Sequence, residues 1–199
     1  MKRINTQSPA KINLYLRVLG KRHDGYHDIA TSFQLIDLFD EMSFEVTKNG
    51  ISVNSSQDFL NGEDNTIYKA AKRFKELFNI KTGIKININK NIPIGAGLGG
   101  GSSNAASTMV ALNRLWDINL DTENLIDIAK DEGADVPLFI FGKNSIGRGI
   151  GEKLKSTDSI EDNLLLIQPD IHNSTQEMFI ELDKSREENG FTINSNQND

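Results

Sequence analysis

A glycine-rich segment that ends in two serines is the part of this chain with the clearest chemical potential. Residues 93–106 are Pro-Ile-Gly-Ala-Gly-Leu-Gly-Gly-Gly-Ser-Ser-Asn-Ala-Ala, and apolar residues at helical spacing follow. Glycine lets a backbone approach a ligand closely, because no Cβ intervenes. The start of a helix adds unpaired N–H groups and the positive end of the macrodipole. The segment therefore predicts an anion site suited to a nucleotide phosphate.

Two well-known phosphate loops fit this segment poorly. The pattern G-x-G-x-x-G begins at Gly95, but a dinucleotide-binding loop requires a strand that runs directly into the first glycine. Here polar residues and a proline separate Gly95 from the predicted strand at 84–88, and the acid at suitable spacing, Asp121, has the pattern of a helix N-cap. A Walker A loop needs a lysine, and none follows Gly101. The remaining interpretation is a glycine–serine loop whose amides and hydroxyls bind a triphosphate and its Mg²⁺.

The segment 93–103 closely resembles the phosphate loop of the GHMP small-molecule kinases. Two further blocks sharpen the resemblance: Ser-Pro-Ala-Lys-Ile-Asn-Leu at 8–14 with Lys-Arg-His-Asp-Gly-Tyr-His at 21–27, and Gly-Ala-Asp-Val-Pro at 133–137. These blocks are similar to the branch that acts on 4-diphosphocytidyl-2-C-methyl-D-erythritol. They lie in the order expected for that branch, over about residues 8–179.

The resemblance implies an α+β fold, the GHMP-kinase N-terminal domain, which is similar to the second domain of ribosomal protein S5. We expect residues 1–157 to form this ATP-binding domain and residues 158–199 to form a partial C-terminal domain with a polar tail. Kinases of this family continue into a longer C-terminal domain that carries a second glycine-rich loop. We therefore expect a chain with a truncated C-terminal domain.

The resemblance also implies ATP as cofactor, with Mg²⁺ carried on it. The implied nucleotide-binding residues are Asn65, Pro93, Ile94, Gly95, Ala96, Gly97, Leu98, Gly99, Gly100, Gly101, Ser102 and Ser103. We expect the phosphates and loop hydroxyls such as Ser102 or Ser103 to hold the Mg²⁺. The histidines at 23, 27 and 172 have no partners at ligand spacing, so the sequence predicts no separate metal centre.

Two residues are candidates for catalysis. By sequence alone Asp135 is a turn or capping residue, and Lys11, which faces opposite Ile12 and Leu14 on a predicted strand, is a solvated surface charge. The resemblance implies other roles: Asp135 is the catalytic base, and Lys11 is a catalytic lysine close to Asp135 and to the reacting hydroxyl. A cation there would favour the substrate alkoxide as it forms.

The candidate substrate-binding residues are Asn13, Tyr26, His27 and Phe33. Tyr26 and His27 follow a predicted turn at Asp24-Gly25, and an aromatic ring beside an imidazole offers stacking and hydrogen bonds to a base. Without the family, ordinary core and surface packing is the preferred explanation for this pair. With it, the rings of Tyr26, His27 and Phe33 form the cytosine site, and Asn13 contacts the substrate.

The resemblance implies an ATP-dependent kinase that phosphorylates the 2-hydroxyl of 4-diphosphocytidyl-2-C-methyl-D-erythritol, in non-mevalonate isoprenoid precursor synthesis. One alternative is a truncated, catalytically impaired relative that binds nucleotide without transfer. Another is a GHMP kinase for a sugar or a mevalonate-type alcohol, against which the Tyr26–His27 pair argues. An RNA-binding module similar to ribosomal protein S5 is disfavoured by the net negative charge of the chain.

The composition of the chain argues against several classes of binding partner. The chain has 199 residues, a net charge of −6 and no cysteine, which argues against general nucleic-acid binding and excludes disulfides and thiol nucleophiles. Polar residues interrupt the N-terminus, and the sequence contains no apolar run of membrane-spanning length, so it predicts neither a signal peptide nor a membrane partner. We expect a cytoplasmic enzyme whose partners are two small molecules, with the oligomeric state left open.

The elements that must position these residues follow from periodicity. Apolar residues alternate along residues 12–18 and again along 84–88, which predicts strands with one buried face. An Asn-Gly pair at 49–50 between apolar runs predicts a hairpin of residues 42–47 with 51–54. Two further apolar runs, 138–141 and 164–167, predict buried strands.

The predicted helices have local start signals. One begins after Asp64-Asn65-Thr66, one runs from the glycine loop to about Trp116, one covers about 122–131, and one starts at the capping box Ser174-x-x-Glu177. From Asp183 onward the chain is polar without periodicity, which predicts a disordered tail.

Overall fold

The computed structural model describes residues 2–57, 61–169 and 174–189, and confirms an α+β fold. His172 and the tail from residue 190 lie outside the described residues. In chain order the elements are β1 (Arg3–Lys21), β2 (His27–Thr47), β3 (Ile51–Ser55), α1 (Thr66–Leu77), β4 (Gly83–Asn89), α2 (Gly100–Leu115), α3 (Thr122–Ala129), α4 (Val136–Phe141), β5 (Ser145–Arg148), β6 (Lys153–Ser156) and α5 (Thr175–Glu188).

In the part of the chain that the structure describes, six strands form one sheet built around the long strand β2. Antiparallel β1 follows one edge of β2 from Lys21 opposite His27 to Arg3 opposite Glu45. The other edge of β2 is shared by β4 and β5, and β6 continues the sheet beyond β5. Register shifts in β1 after Pro9, Asn13 and Val18 bend the β1–β2 pair.

Helices α1 and α2 pack on one face of this sheet and enclose the core. Strand β4 shows why: Ile84, Ile86 and Ile88 are buried, whereas Lys85 and Asn89 on the opposite face are exposed. The predicted alternation along this strand is therefore confirmed. The buried isoleucines pack in one cluster with residues of α1, α2, α3 and α4. No described helix has the length and apolar character needed to cross a bilayer.

The predicted hairpin at Asn49-Gly50 is wrong. Strand β3 does not pair with β2; it pairs in parallel with β4, which lies between them. The turn itself is present, since Gly50 has a φ of 74°. An Asn-Gly signal reports only local backbone geometry, and a later strand inserted between the two flanking runs.

The predicted starts of α1 and α3 have the expected side-chain caps. The Asn65 side chain accepts from the Ile67 amide at the start of α1, and the Asp121 side chain accepts from the Asn124 amide at the start of α3. Helix α2 begins at the glycine loop and ends with Trp116 at its C-cap. These signals lie within a few residues of the elements they define, which is why the sequence located them.

The predicted buried face of β1 is wrong over part of its length. Leu14 and Leu16 are 38% and 48% exposed, and Lys11, predicted to be solvated, is 7% exposed. The glycine loop and α2 contact the earlier part of β1, where Ser8 bonds to Ser103 and the Lys11 amide donates to the Leu98 carbonyl, whereas residues 14–16 are exposed. The alternation of apolar and polar residues identifies the two faces of a strand. It does not show how much of the strand's length another element packs against.

Both apolar runs predicted as buried strands differ in the structure. Residues 138–141 are buried but helical, within α4, where Pro137 occupies the first turn and Gly142 ends the helix in the left-handed region. Periodicity alone does not separate a short buried helix from a strand. Residues 164–167 form no strand, and Leu165 and Ile167 are 86% and 81% exposed.

The predicted disorder from Asp183 onward is wrong for its first residues. Helix α5 continues to Glu188, and its start confirms the capping box, since the Ser174 hydroxyl accepts from the Glu177 amide. Residues 183–188 form the last turns of α5, which is largely exposed and therefore does not require an apolar stripe.

Candidate functional site

The predicted phosphate loop lines a groove of about 450 Å³ at the start of α2. Its walls are residues of the loop, of the α1 start and of the end of β4: Asp64, Asn65, Thr66, Ile67, Lys90, Pro93, Ile94, Gly95, Ala96, Gly97, Leu98, Gly99, Gly100, Gly101, Ser102 and Asn104. The structure therefore brings Asn65 and almost the whole predicted loop to one cavity. Ser103 is the exception, and its side chain lies beneath the loop.

The loop backbone alternates in a way that favours an anion. Gly95, Gly97 and Gly99 all have φ near +70°, with one residue between each pair. Alternating left-handed residues turn successive amides toward one side and form a concavity for anions. The loop then opens directly into α2, whose first amides have no partner within the helix.

Gly99 is required at its position for two reasons. Its φ of 70° is strained for a residue with a side chain, and an added Cβ would lie 2.8 Å from Phe139 and 3.1 Å from Lys11 Cγ. The same close packing explains how the loop is held. The Lys11 amide donates to the Leu98 carbonyl at 3.0 Å, so β1 and the loop are directly joined.

Lys11 and Asp135, the two predicted catalytic residues, lie together at this junction. Lys11 Nζ is 3.4 Å from Asp135 Oδ2 and donates to Asn13 Oδ1 at 2.7 Å. The Lys11 side chain is 9% exposed and that of Asp135 31% exposed, so the aspartate is the partner that a ligand reaches. A buried ammonium beside an accessible carboxylate is suited to proton abstraction from a hydroxyl.

Asp135 occupies the N-cap position of α4, but its side chain makes no capping hydrogen bond to the described residues of that helix. The carboxylate faces Lys11 instead. The interpretation of Asp135 as a capping residue, drawn from sequence alone, is therefore not what the structure shows.

Asn13 and Phe33 complete this side of the site. Asn13 is opposite Phe33 in the β1–β2 register, and its amide donates to Thr31 Oγ1, which in turn donates to the Tyr15 carbonyl. The Phe33 ring lies 5.8 Å from Lys11 Nζ, within range of a cation–π contact. The structure thus brings Lys11, Asn13, Phe33 and Asp135 together.

Tyr26 and His27 lie away from this group, at the end of the β1–β2 pair where the two strands are joined by a turn. Tyr26 is 59% exposed in the turn between the strands, whereas His27 is buried under α5. The Phe179 ring stacks on His27 at 4.7 Å, and His27 Nε2 is 2.8 Å from Asp183 Oδ1. Lys21 donates to the other oxygen of Asp183, and this contact, followed by the one from His27, lowers the pKa of that carboxyl below its ordinary value.

The structure separates Phe33 from the other two residues predicted to form a cytosine site. Phe33 lies six residues along β2 from His27 and packs with Lys11. Of Tyr26 and His27, Tyr26 presents the open ring face, because Phe179 covers the imidazole.

Sequence reasoning missed a buried polar cluster beneath the loop. Asp40, fully buried, pairs with Lys90 Nζ at 2.5 Å and accepts from Asn104 Nδ2 at 2.9 Å. Asp40 and Lys90 each lie beside an apolar strand segment in the sequence. A charged residue in such a place was the one signal for a buried ion pair. Nothing in the sequence pairs residues 40, 90 and 104, because the contact depends on the sheet order.

A wider depression of about 700 Å³ lies on the outer face of the sheet. Its walls are Asn5, Thr6, Gln7, Glu41, Met42, Ser43, Asn87, Ile88 and Asn89. It contains neither the glycine loop nor the Lys11–Asp135 pair, so its size does not make it the better candidate. Among the described residues no group of three or more acidic or histidine side chains is placed to hold a metal ion.

Comparison with known proteins agrees with this geometry. The family described as GHMP kinases N terminal domain matches residues 65–143, which include α1, the loop, α2 and Asp135. A 4-diphosphocytidyl-2-C-methyl-D-erythritol kinase of Francisella philomiragia is 48% identical over 177 residues, which are 88% of this chain and 64% of that protein. The kinase of the same name from Acinetobacter baylyi is 43% identical over 193 residues, which are 96% of this chain and 69% of that protein.

A solved structure gives the same result. A crystal structure of 4-(cytidine 5'-diphospho)-2C-methyl-D-erythritol kinase superposes with a TM-score of 0.69 at 38% identity, over 77% of this chain and 55% of that one. The chain spans less than two thirds of the length of the Francisella relative.

Proposed function

The chain belongs to the 4-diphosphocytidyl-2-C-methyl-D-erythritol kinases of the GHMP family, and from this premise we propose that it transfers the γ-phosphoryl group of ATP to the 2-hydroxyl of that substrate. One observation carries the proposal: Lys11 joins the phosphate loop, through the Leu98 carbonyl, to the accessible carboxylate of Asp135. A nucleotide in the loop and a hydroxyl on Asp135 would therefore meet at one place.

The loop amides hold the triphosphate in this proposal. The left-handed glycines and the first turn of α2 present N–H groups to one cavity, and the electrostatic stabilisation that phosphoryl transfer requires comes largely from such donors. Ser102 is the loop hydroxyl that lines the groove, and we assign it to the Mg²⁺ that ATP carries. That ion would neutralise charge on the phosphate oxygens.

Asp135 acts as the base. Its carboxylate accepts the proton of the substrate hydroxyl while the hydroxyl oxygen bonds to the γ-phosphorus, and the bond to the bridging oxygen of ADP breaks. The Lys11 ammonium, held by Asn13, stabilises negative charge on the attacking oxygen. Because Lys11 is buried and anchored by its own backbone, it is oriented before any ligand arrives.

The proposed substrate must reach two places on the β1–β2 pair, the Lys11–Asp135 pair and the turn that carries Tyr26. Lys11 and Lys21, the residue paired with His27, are ten positions apart on β1, which limits the separation to about 33 Å for a straight strand. The bends in β1 shorten it. We assign the base of the substrate to the Tyr26 ring and the reacting hydroxyl to Asp135, with Asn13 and Phe33 lining the reacting end.

The test is substrate-dependent formation of ADP by the 199-residue chain with Mg²⁺ and ATP. We expect Asp135→Asn to lower kcat about a thousandfold while the affinity for ATP is retained. Asp131→Asn is the matched control, because its carboxylate is 70% exposed and pairs with Arg73 on the surface. Equal turnover in Asp135→Asn and the unchanged chain would overturn the role of the base. Binding of ATP without any substrate-dependent turnover would contradict the proposed activity.

A further inference from the structure

Asp40 is a fully buried charged group beneath the phosphate loop, and nothing in the proposed reaction uses it directly. Its carboxylate is fully buried and accepts from the amides of Asn91 at 2.8 Å and Ile92 at 2.9 Å. It also accepts from Asn104 Nδ2 at 2.9 Å and from Lys90 Nζ at 2.5 Å. Four donors on one buried carboxylate fix its position.

These donors come from the two ends of the loop. Lys90, Asn91 and Ile92 immediately precede the loop, and Asn104 follows it in the first turn of α2. Asp40 itself belongs to neither end, since it lies on β2 opposite Ser8 of β1. One carboxylate of the sheet therefore closes the segment 90–104 into a loop of fixed span.

Among the described residues, Lys90 is the cation that pairs with this carboxylate. Lys90 Nζ donates to Asp40 and to Asn104 Oδ1, and the Lys90 side chain is 5% exposed. A Cβ added to Gly100 would lie 3.2 Å from that ammonium, so the ion pair lies directly beneath the start of α2. Removing one member would leave a buried charge without a counter-ion at the base of the phosphate site.

The cluster continues toward the catalytic strand. Asn104 Nδ2 also donates to Ser8 Oγ at 3.0 Å, and Ser8 Oγ is 2.7 Å from Ser103 Oγ. Ser8 stands three residues before Lys11 on β1. The same set of hydrogen bonds thus fixes the loop, the helix start and the strand that carries Lys11.

We propose that Asp40 is the positioning residue of the phosphate loop, acting through Lys90 and Asn104 to hold residues 93–103 in their anion-binding form. The inference rests on the proposed function for its ligand, ATP, and on geometry for the rest. It predicts that the loop conformation depends on which position of the cluster carries the carboxylate and which carries the amide. This effect is separate from the contribution that the buried groups make to folding stability.

An exchange of the two side chains tests this directly. Asp40→Asn leaves Lys90 without a carboxylate, and Asn104→Asp places two carboxylates 2.9 Å apart or less. In the double variant an amide at position 40 still accepts from the Asn91 and Ile92 amides and donates to a carboxylate at position 104, which pairs with Lys90. The hydroxyl of Ser8 can donate to that carboxylate.

We expect each single variant to weaken ATP binding about tenfold, the scale at which supporting partners of ligand-binding groups act, and the double variant to restore most of it. Hydrogen exchange of the amides of residues 94–104 without nucleotide should rise in the single variants and recover in the double variant. Phe44→Leu is the stability control, because Phe44 is a fully buried core residue of the same strand outside the cluster.

Single variants that bind ATP no worse than a Phe44→Leu protein of equal melting temperature, with unchanged loop exchange, would overturn the inference. Failure of the double variant to recover either quantity would do the same. If the unchanged chain bound no ATP, the proposed function would fail, and the exchange of loop amides would still decide the role of Asp40.

Discussion

Two parts of the β1–β2 pair are held in different ways, the part beside the phosphate loop (the loop end) and the part at the Tyr26 turn (the His27 end). At the loop end the charged groups Asp40 and Lys90 are almost completely buried and bonded to the body of the fold. At the other end the described contacts to His27 come from α5, through the Phe179 ring and the partly exposed Asp183. The nucleotide end is therefore preorganised, whereas the base end depends on the docking of one helix.

The energetic consequence follows from burial. Loss of one member of a buried ion pair lowers the free energy of unfolding by about 3–5 kcal/mol, because the remaining charge is buried away from water without a counter-ion. Exposed pairs contribute about 0–1 kcal/mol. Changes at the loop end should thus affect both folding and nucleotide binding, and changes at the His27 end should affect mainly the second substrate.

The largest expected effect on ATP affinity is at Gly99. We expect Gly99→Ala to reduce the affinity for ATP about a hundredfold, the effect of a displacement near 1 Å, because the new Cβ would collide with Phe139 and Lys11. Gly50→Ala is the control: its φ of 74° imposes the same backbone strain, but its Cβ would meet no atom of the described protein within 4 Å. Calorimetric titration measures both, and equal affinities would show that the loop is not rigidly packed.

A smaller effect is expected at the His27 end. We predict that Asp183→Ala raises KM for the cytidyl substrate about fivefold, which corresponds to an ordinary hydrogen bond of about 1 kcal/mol, and leaves the affinity for ATP unchanged. Glu181→Ala is the matched control, since Glu181 lies on the same helix and pairs with the exposed Lys184. A parallel loss of ATP affinity in Asp183→Ala would remove the distinction between the two ends.

The smallest expected effect is on pH dependence. Hydrogen bonds from Lys21 and then His27 hold the pKa of Asp183 below its ordinary value of 3.8. Because the folded-state pKa is depressed, the stabilisation is complete above the ordinary value and is lost as pH falls through the folded one. The difference in unfolding free energy between the chain and Asp183→Asn should therefore shrink below about pH 4. A difference that stays constant in stronger acid contradicts this account of α5 docking.

The sequence predicted best what is encoded locally. The glycine loop, the caps at Asn65, Asp121 and Ser174, and the alternation in β4 are all defined within a few residues. The order of predicted strands and helices also indicates an α+β class, whereas the GHMP-kinase fold and the pairing of Lys11 with Asp135 came from resemblance to a family.

What could not be predicted depends on the order of strands and on the extent of their cover. Insertion of β4 beside β2 displaced the expected hairpin and brought Asp40 to Lys90. Other elements cover only part of β1, so Lys11 is buried whereas Leu14 is exposed. A four-residue apolar run such as 138–141 fits a strand or a helix equally well until its neighbours are known.

The most direct test of the central claim is to map where Mg²⁺·ATP binds, by ¹H–¹⁵N correlation spectra of the 199-residue chain. We predict saturable shifts of the amides of Gly95, Gly97 and residues 99–102, with no response around the wider depression lined by Asn5 and Asn89. Shifts confined to that depression, or none in the loop at saturating nucleotide, would contradict the assignment of residues 93–103 as the phosphate site.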